Sequence, residues 1–251
     1  MVAPNPGPYT GPGTNTWILE AGPVVVVIDP GPDDDSHLAA INRRLAGATV
    51  GVVLVTHSHP DHLPLAQRMA APHRASVRRY PDLADGDVIR AGNLSLTALH
   101  TPGHSADHLC FWIADDRALF TGDLVLGRGS SMVTHPEGNV ADYLRSLERV
   151  IALQPRILFP GHWDPSTDAV AKLEEYHAHR LERERQVLAE IKRGGGTGRD
   201  LTRRVYGGEV GEELMQAAEM TMRAHLEKLV GDGAVRVSTS AGEEVYEASV
   251  S

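Results

Sequence analysis

Three histidines and a carboxylate stand within six residues at His57, His59, Asp61 and His62, directly after the apolar run 51–55. Imidazole and carboxylate donors together suit zinc, iron or manganese, and no thiolate is among them. Side chains alternate along extended chain, so His57 and His59 share one face, while the turn at Pro60 can carry Asp61 and His62 toward a second position. One short motif can therefore feed two adjacent ions. The competing reading is a surface loop that is merely rich in histidine. A run of this pattern leaving a buried strand argues against it, because rigid strands commonly present binding residues on the loops that follow them.

The run 51–55 is β-branched and apolar, which reads as a buried strand. Other predicted strands end the same way. Residues 24–28 lead into Asp29, 94–99 into His100 and then Pro102-Gly103-His104, 118–122 into Asp123, and 156–160 into Gly161-His162. Strand after strand terminating in His or Asp is expected when several loops converge at one edge of a sheet. Asp29 is either a turn former or a carboxylate that orients a metal-bound imidazole. Asn15 and His108 are candidates of the same supporting or substrate-facing kind. The remaining pattern predicts a strand at 16–20, a helix through 46 capped at Asp35-Ser36, a helix over 63–71 whose start carries His62, strands at 88–89 and 109–114, and a helix over 142–153. The tail reads as a helix over 166–192 with Ser166, Thr167 and Asp168 as caps, a short helix over 201–206, a helix over 212–230 and a hairpin of 235–238 with 244–247. Helices followed by a hairpin are winged-helix-like, which divides the chain into residues 1–165 and 166–251.

Composition narrows the classes. The chain has 251 residues and a formal net charge of -9, which argues against an indiscriminate nucleic-acid binder while leaving room for a local basic face. Its one cysteine, Cys110, lies in an apolar run and excludes an intrachain disulfide or a Cys-based zinc site. The absence of a basic and apolar leader pattern at the start predicts a cytoplasmic protein, and no apolar run approaches the ~18 residues of a membrane span. His73, His100, His177, His179 and His225 read as ordinary surface or boundary residues. Over 180–204, Arg180, Arg183, Arg185, Lys192, Arg193, Arg199, Arg203 and Arg204 outnumber Glu182, Glu184, Glu190 and Asp200. That span is read first as a solvated face with ion pairs, and otherwise as a phosphate-contacting surface.

The blocks Thr56-His57-Ser58-His59-Pro60-Asp61-His62, Thr101-Pro102-Gly103-His104, Thr121-Gly122-Asp123 and Pro160-Gly161-His162, in that order, resemble the metallo-β-lactamase-fold hydrolase superfamily over the first 165 residues or so. The resemblance implies an α+β fold, an αββα sandwich with a binuclear site along one edge. It implies that His57, His59 and His104 hold one ion, that Asp61, His62 and His162 hold the other, and that Asp123 bridges. Two zinc ions are expected, with manganese or iron also compatible, and a bridging hydroxide as nucleophile. Asp61 is the candidate for handling the leaving group's proton. A bridging carboxylate at Asp123 is similar to the glyoxalase II and ribonuclease Z branches, and Cys110 is in the wrong block for a β-lactamase cysteine ligand.

The tail, with Asn5-Pro6-Gly7-Pro8, Gly13-Thr14-Asn15-Thr16 and the helix bearing Tyr176, His179, Arg180, Arg183 and Glu184, is similar to the β-lactamase-like protein 2 family. That resemblance implies hydrolysis of a thioester or related ester in glyoxalase II fashion, or alternatively cleavage of single-stranded RNA. The apolar-faced terminal helix and hairpin can serve a nucleic acid or a second copy of the chain, and no membrane partner is implied.

Overall fold

The computed structural model describes residues 1–208, 210–240 and 242–249. The chain forms two compact units, one of residues 1–101, 107–131 and 149–173, the other of residues 102–106, 132–148 and 174 onward.

In the first unit, five consecutive β-branched residues form β2 (Val24–Ile28), a composition that loses little rotamer freedom in extended chain. This strand pairs antiparallel with β1 (Trp17–Ala21) and parallel with β3 (Thr49–Leu54), which pairs parallel with β4 (Ser76–Arg78). Both faces of β2 are covered. Val26 and Ile28 face a core shared with the second sheet, while Val25 and Val27 face Ile41, Leu45, Leu65 and Met69. An apolar run without alternation is the signature of such a doubly covered strand.

The parallel β2–β3 pair needs a crossover, supplied by α1 (Asp35–Leu45). Its cap is Asp34, one residue before the expected Asp35-Ser36. Asp34 Oδ1 accepts from the His37 amide at 2.7 Å and from Ser36 Oγ at 2.6 Å, so Ser36 serves the cap instead of being it. The helix expected over 63–71 is only α2 (Ala66–Ala70), followed by a 3₁₀ turn, Ala71–His73. The amides of His62 and Leu63 both bond to the His59 carbonyl, and that of Leu65 to the Gly31 carbonyl, so the loop consumes the donors a longer helix would use. His62 therefore sits in the turn before the helix.

The second sheet has the order β5 (Val88–Ala91), β6 (Leu94–His100), β7 (Leu109–Ile113), β8 (Ala118–Gly122) and β9 (Ile157–Pro160). It is antiparallel except for the parallel β8–β9 pair, whose connection contains α3 (Val140–Ala152). Leu96, Phe111 and Phe120 pack against Val26, Ile28 and Leu54 across the two sheets. Each such side chain contributes about 1.5–3 kcal/mol by leaving water. Trp17 closes the layer edge-on to Phe120 and Phe159, at 6.1 and 4.9 Å between ring centres. Cys110 is wholly buried as expected, and burial pushes its thiol up to about 12.

In the second unit, α4 (Ala169–Gly194, its residues from 174 on), α5 (Gly198–Tyr206) and α6 (Met215–Gly231) surround a core of Val187, Ile191, Leu201, Met222, Leu226 and Leu229. The hairpin of β11 (Val235–Ser240) and β12 (Glu243–Ala248) adds Val235 and Tyr246. Two strands escape the sequence pattern because they are too short for any period. They are β4, and β10 (Gly196–Thr197), which pairs with β12 and begins on the last glycine of the run that closes α4. The helix expected from 212 begins as a 3₁₀ turn, Glu212–Leu214, before α6. No described helix is long and apolar enough to cross a membrane.

Candidate metal centre

Register brings the chemistry together. In the first sheet Ile28 is opposite Leu54, so the parallel strands β2 and β3 release Asp29 and Thr56-His57 at the same edge. In the second sheet Gly122 is opposite Pro160, so β8 and β9 release Asp123 and His162 side by side. Backbone hydrogen bonds stitch the two edges together, from the Leu109 amide to the Thr56 carbonyl at 2.7 Å and from the Asn15 amide to the Gly161 carbonyl at 2.7 Å.

Three imidazoles here have their Nδ1 committed to an acceptor, which decides where each lone pair points. Asp29 Oδ1 accepts from the Thr56 amide and Oδ2 from Thr56 Oγ1, both at 2.7 Å. The one hydroxyl hydrogen of Thr56 is thereby used, so its 2.9 Å contact with His57 Nδ1 has the ring N–H donating. His62 Nδ1 donates to Asp29 Oδ2 at 2.9 Å, and His162 Nδ1 donates to the Gly13 carbonyl at 3.2 Å. In the neutral form of all three rings Nε2 therefore carries the lone pair. His57 Nε2 lies 3.0 Å from His59 Nδ1. His62 Nε2 is buried at 3.3 Å from Asp61 Oδ2 and 3.5 Å from Asp123 Oδ1, without a well-aligned hydrogen bond. His162 Nε2 lies 3.3 Å from Asp61 Oδ2 and 3.4 Å from Asp123 Oδ2.

Lone pairs facing carboxylate oxygens in a buried site repel unless a cation lies between them. Asp29 and Asp123 accordingly overcome burial and hold the His62 imidazole well above its ordinary basicity. Asp123 overcomes burial likewise to raise His162 to about 10. Burial opposes ionisation of Asp61, but the His162 and His62 rings beside it hold its carboxyl well below the usual range. Thr14 Oγ1 adds a donor to Asp61 Oδ2 at 2.8 Å. Asp61 is thus an acceptor in this arrangement. The donor set fits divalent ions: the ligand atoms of His57, His62 and Asp123 all lie within 4.8 Å of one another, as do those of Asp61, His62 and His162. The cradle leaves no room for a side chain at Gly161, where a Cβ would stand 2.3 Å from Asp123 Oδ1.

His104 belongs to the segment 102–106 of the second unit, where its Nδ1 donates to the Met132 carbonyl at 2.7 Å, again putting the lone pair on Nε2. Asp29, Asn15 and His108, the candidates for a supporting or substrate-facing place, each hydrogen-bond to a candidate ligand or to the turn that carries one. Asp29 orients His62 and Thr56. Asn15 Nδ2 donates to the carbonyls of Pro160 at 3.0 Å and Trp163 at 2.6 Å, clamping the turn that carries His162. His108 accepts from the Asp123 amide through Nε2 at 3.1 Å and donates to Thr101 Oγ1 through Nδ1 at 2.9 Å, so neither nitrogen is left for a metal. Sequence reasoning missed Thr14 and the hydroxyl of Thr56, since a threonine beside a motif carries no spacing signal of its own.

Comparison with known proteins agrees with this geometry. The family model described as the metallo-beta-lactamase superfamily matches residues 9–85 and 68–162, and a beta-lactamase associated winged helix domain matches 197–243. A beta-lactamase-like protein 2 homolog of Caenorhabditis elegans is 31% identical, covering 94% of this chain and 84% of that protein. An atrochrysone carboxyl ACP thioesterase of Aspergillus chevalieri is 32% identical, covering 96% of this chain and 83% of that protein. A metallo-beta-lactamase family protein from Thermus thermophilus has the same fold, with a TM-score of 0.83 at 23% identity over 99% of this chain and 97% of that one. With the sheets, the His and Asp loops and the C-terminal helices and hairpin all in place, the chain belongs to the metallo-β-lactamase superfamily, as a hydrolase that carries the associated winged helix domain.

Proposed function

We propose that this chain is a binuclear metal-dependent hydrolase of a thioester or related ester. The observation that carries the reading is the common tautomer of His57, His62 and His162. Each has Nδ1 committed to an acceptor, and Nε2 of His62 and His162 is turned toward the carboxylates of Asp61 and Asp123. In this reading His57, His59 and His104 hold one ion, Asp61, His62 and His162 the other, and Asp123 both. Zinc is the metal proposed, because its neutral imidazole and carboxylate donors are those present, although manganese and iron accept the same set. When bound, a pair of such ions supplies an activated water near neutral pH and polarises the scissile carbonyl.

The protein's own contribution is positioning. Asp29 and Thr56 fix two rings, Asn15 fixes the turn of a third, and the His108 ring holds the Asp123 amide. These groups are buried, so they are held before substrate arrives and do not reorganise during the reaction. The acyl class is supported by the thioesterase similar to this chain along most of its length. It also fits the basic span of the tail, much of which is not an open cationic track. Arg185 and Arg193 pair with Glu182 and Glu190, and Arg180 and Arg183 are buried.

The test is steady-state turnover of a panel of acyl thioesters, including S-lactoylglutathione, by zinc-loaded protein with a single-stranded RNA assayed in parallel. Thioester hydrolysis that disappears on chelation and returns with metal is the expected result. Cleavage of RNA with no thioester turned over would overturn it.

A further inference from the structure

Trp163, directly after the candidate ligand His162, has a backbone angle that its residue type rarely takes. Its φ is 62°, a left-handed value that a bulky side chain adopts only where its surroundings hold it there. Asn15 Nδ2 donates to its carbonyl at 2.6 Å, and its ring rests on the backbone of Gly11, where a Cβ would stand 2.3 Å from the ring carbon Cζ2. Gly127 closes on the other end of the side chain, since a Cβ there would stand 2.9 Å from that of Trp163. The indole is half-buried and meets the His162 ring edge-on at 6.1 Å between centres. Glycine would take this angle without strain. What tryptophan adds is the contact with Gly11.

Gly11 belongs to a loop of residues 5–14 that closes on itself. Gly7 and Gly11 exchange backbone hydrogen bonds at 3.1 and 2.9 Å, the Gly13 amide donates to the Thr10 carbonyl at 2.9 Å, and Thr10 Oγ1 donates to the Asn5 carbonyl at 2.6 Å. Asn5 then spans the end of the loop. Its Oδ1 accepts from the Thr14 amide and its Nδ2 donates to Thr14 Oγ1, both at 3.0 Å. With a lone pair of the hydroxyl occupied by Asn5, the one hydroxyl hydrogen is left for Asp61 Oδ2 at 2.8 Å. The adjacent carbonyl, that of Gly13, accepts from His162 Nδ1 at 3.2 Å, and Thr14 stands opposite His162 in an antiparallel bridge. The loop therefore ends on two of the candidate ligands assigned to one ion, and Trp163 is the side chain it rests against.

We infer that Trp163 and Asn5 are positioning residues for Asp61 and His162, acting through the loop of residues 5–14. The ring of one and the amide of the other keep the Thr14 hydroxyl on Asp61 and the Gly13 carbonyl on His162 before an ion arrives. That these two ligands share an ion rests on the binuclear reading above. The dependence of the loop on Trp163 does not.

Trp163→Gly suits the backbone angle and removes the ring, so it separates the contact from the strain. In metal-free protein, hydrogen exchange of the Gly11, Gly13 and Thr14 amides should quicken at least tenfold, because the acceptors of all three lie within the loop. In competition with a chromophoric chelator, one of two zinc ions should bind about tenfold more weakly, as is usual when a metal ligand loses its outer support. Trp163→Phe retains a ring and should return both quantities close to those of the parent. Asn5→Ala leaves Trp163 in place and should weaken the same zinc step, which provides a second variant should Trp163→Gly fold poorly. Asp61→Ala is the control for the ion itself. If it loses an ion, exchange at the parent's rate in Trp163→Gly would overturn the role, as would faster exchange with both zinc affinities unchanged. If Asp61→Ala keeps both ions at the parent's affinity, the binuclear reading fails instead, and faster exchange in Trp163→Gly would still uphold the hold of Trp163 on the loop.

Discussion

Buried histidines occur in both units, and their neighbours treat them in opposite ways. At the sheet edge of the first unit, His57, His62 and His162 each have one nitrogen fixed by a threonine, a carboxylate or a carbonyl. The other nitrogen of His62 and of His162 is turned toward carboxylates. In the second unit neither nitrogen of His225 has a hydrogen-bond partner, and burial first, then Arg180, Arg183 and Lys228, disfavour its protonation. The first arrangement is prepared for a cation and already oriented. The second is held neutral by burial and then by cationic neighbours, and no hydrogen-bond partner selects one tautomer of its imidazole. Two buried imidazole environments of one chain thus differ in the sign of the nearest charges and in whether a partner fixes the ring.

The largest expected effect tests the sign of the first cluster. Asp123→Ala removes the carboxylate between His62 and His162, and turnover should fall on the order of 10³-fold, about 4 kcal/mol of barrier, with loss of bound metal by elemental analysis. Retention of both metal and rate would show that Asp123 bridges nothing. Next is the degree of assembly. Asp29 touches no ion in this reading, yet Asp29→Asn should weaken metal binding by about 10–100-fold, because His62 Nδ1 and Thr56 lose a common carboxylate acceptor. Competition with a chromophoric chelator measures it, and an unchanged affinity would mean that the rings need no outer support. Thr14→Val takes one donor from the partly exposed Asp61 and should cost about 1 kcal/mol, or roughly fivefold in the same competition.

How far these clusters can be read from sequence differs for a physical reason. The cation site is legible because its ligands follow strands, and strands announce themselves by β-branched runs such as 24–28 and 51–55. The order of loops then does the rest. The supports are less legible. Asp29 can be suspected at a strand end, but Thr14 reaches Asp61 across 47 positions by a loop path that no periodicity encodes. His225 and the arginines look like surface residues in the sequence, because α4 repeats charge on every turn and pattern alone cannot say which turn a neighbouring helix covers. Helix ends fail for a local reason: Ser36 and Asp34 are both good caps, and the hydrogen bond between them decides which one serves.

The smallest effect at neutral pH belongs to His225, and it separates the two clusters most sharply. Replacing it by leucine removes two buried polar atoms that have no partner, so stability at pH 8 should stay within about 1 kcal/mol of the parent or rise. A substitution at His62, by contrast, takes one of its three donors from the buried Asp29 carboxylate. The two proteins should diverge on acidification. The folded-state pKa of His225 is depressed below its ordinary 6.5, so below that pH the unfolded chain binds a proton that the folded chain refuses. Stability from this residue is therefore complete above pH 6.5 and declines as pH falls, by up to about 1.4 kcal/mol per unit. Urea unfolding at pH 8 and pH 5.5 should show a steeper loss in the parent than in His225→Leu. Parallel slopes with and without the substitution would mean that His225 is as well partnered as the rings of the metal centre, and the contrast between the two clusters would fail.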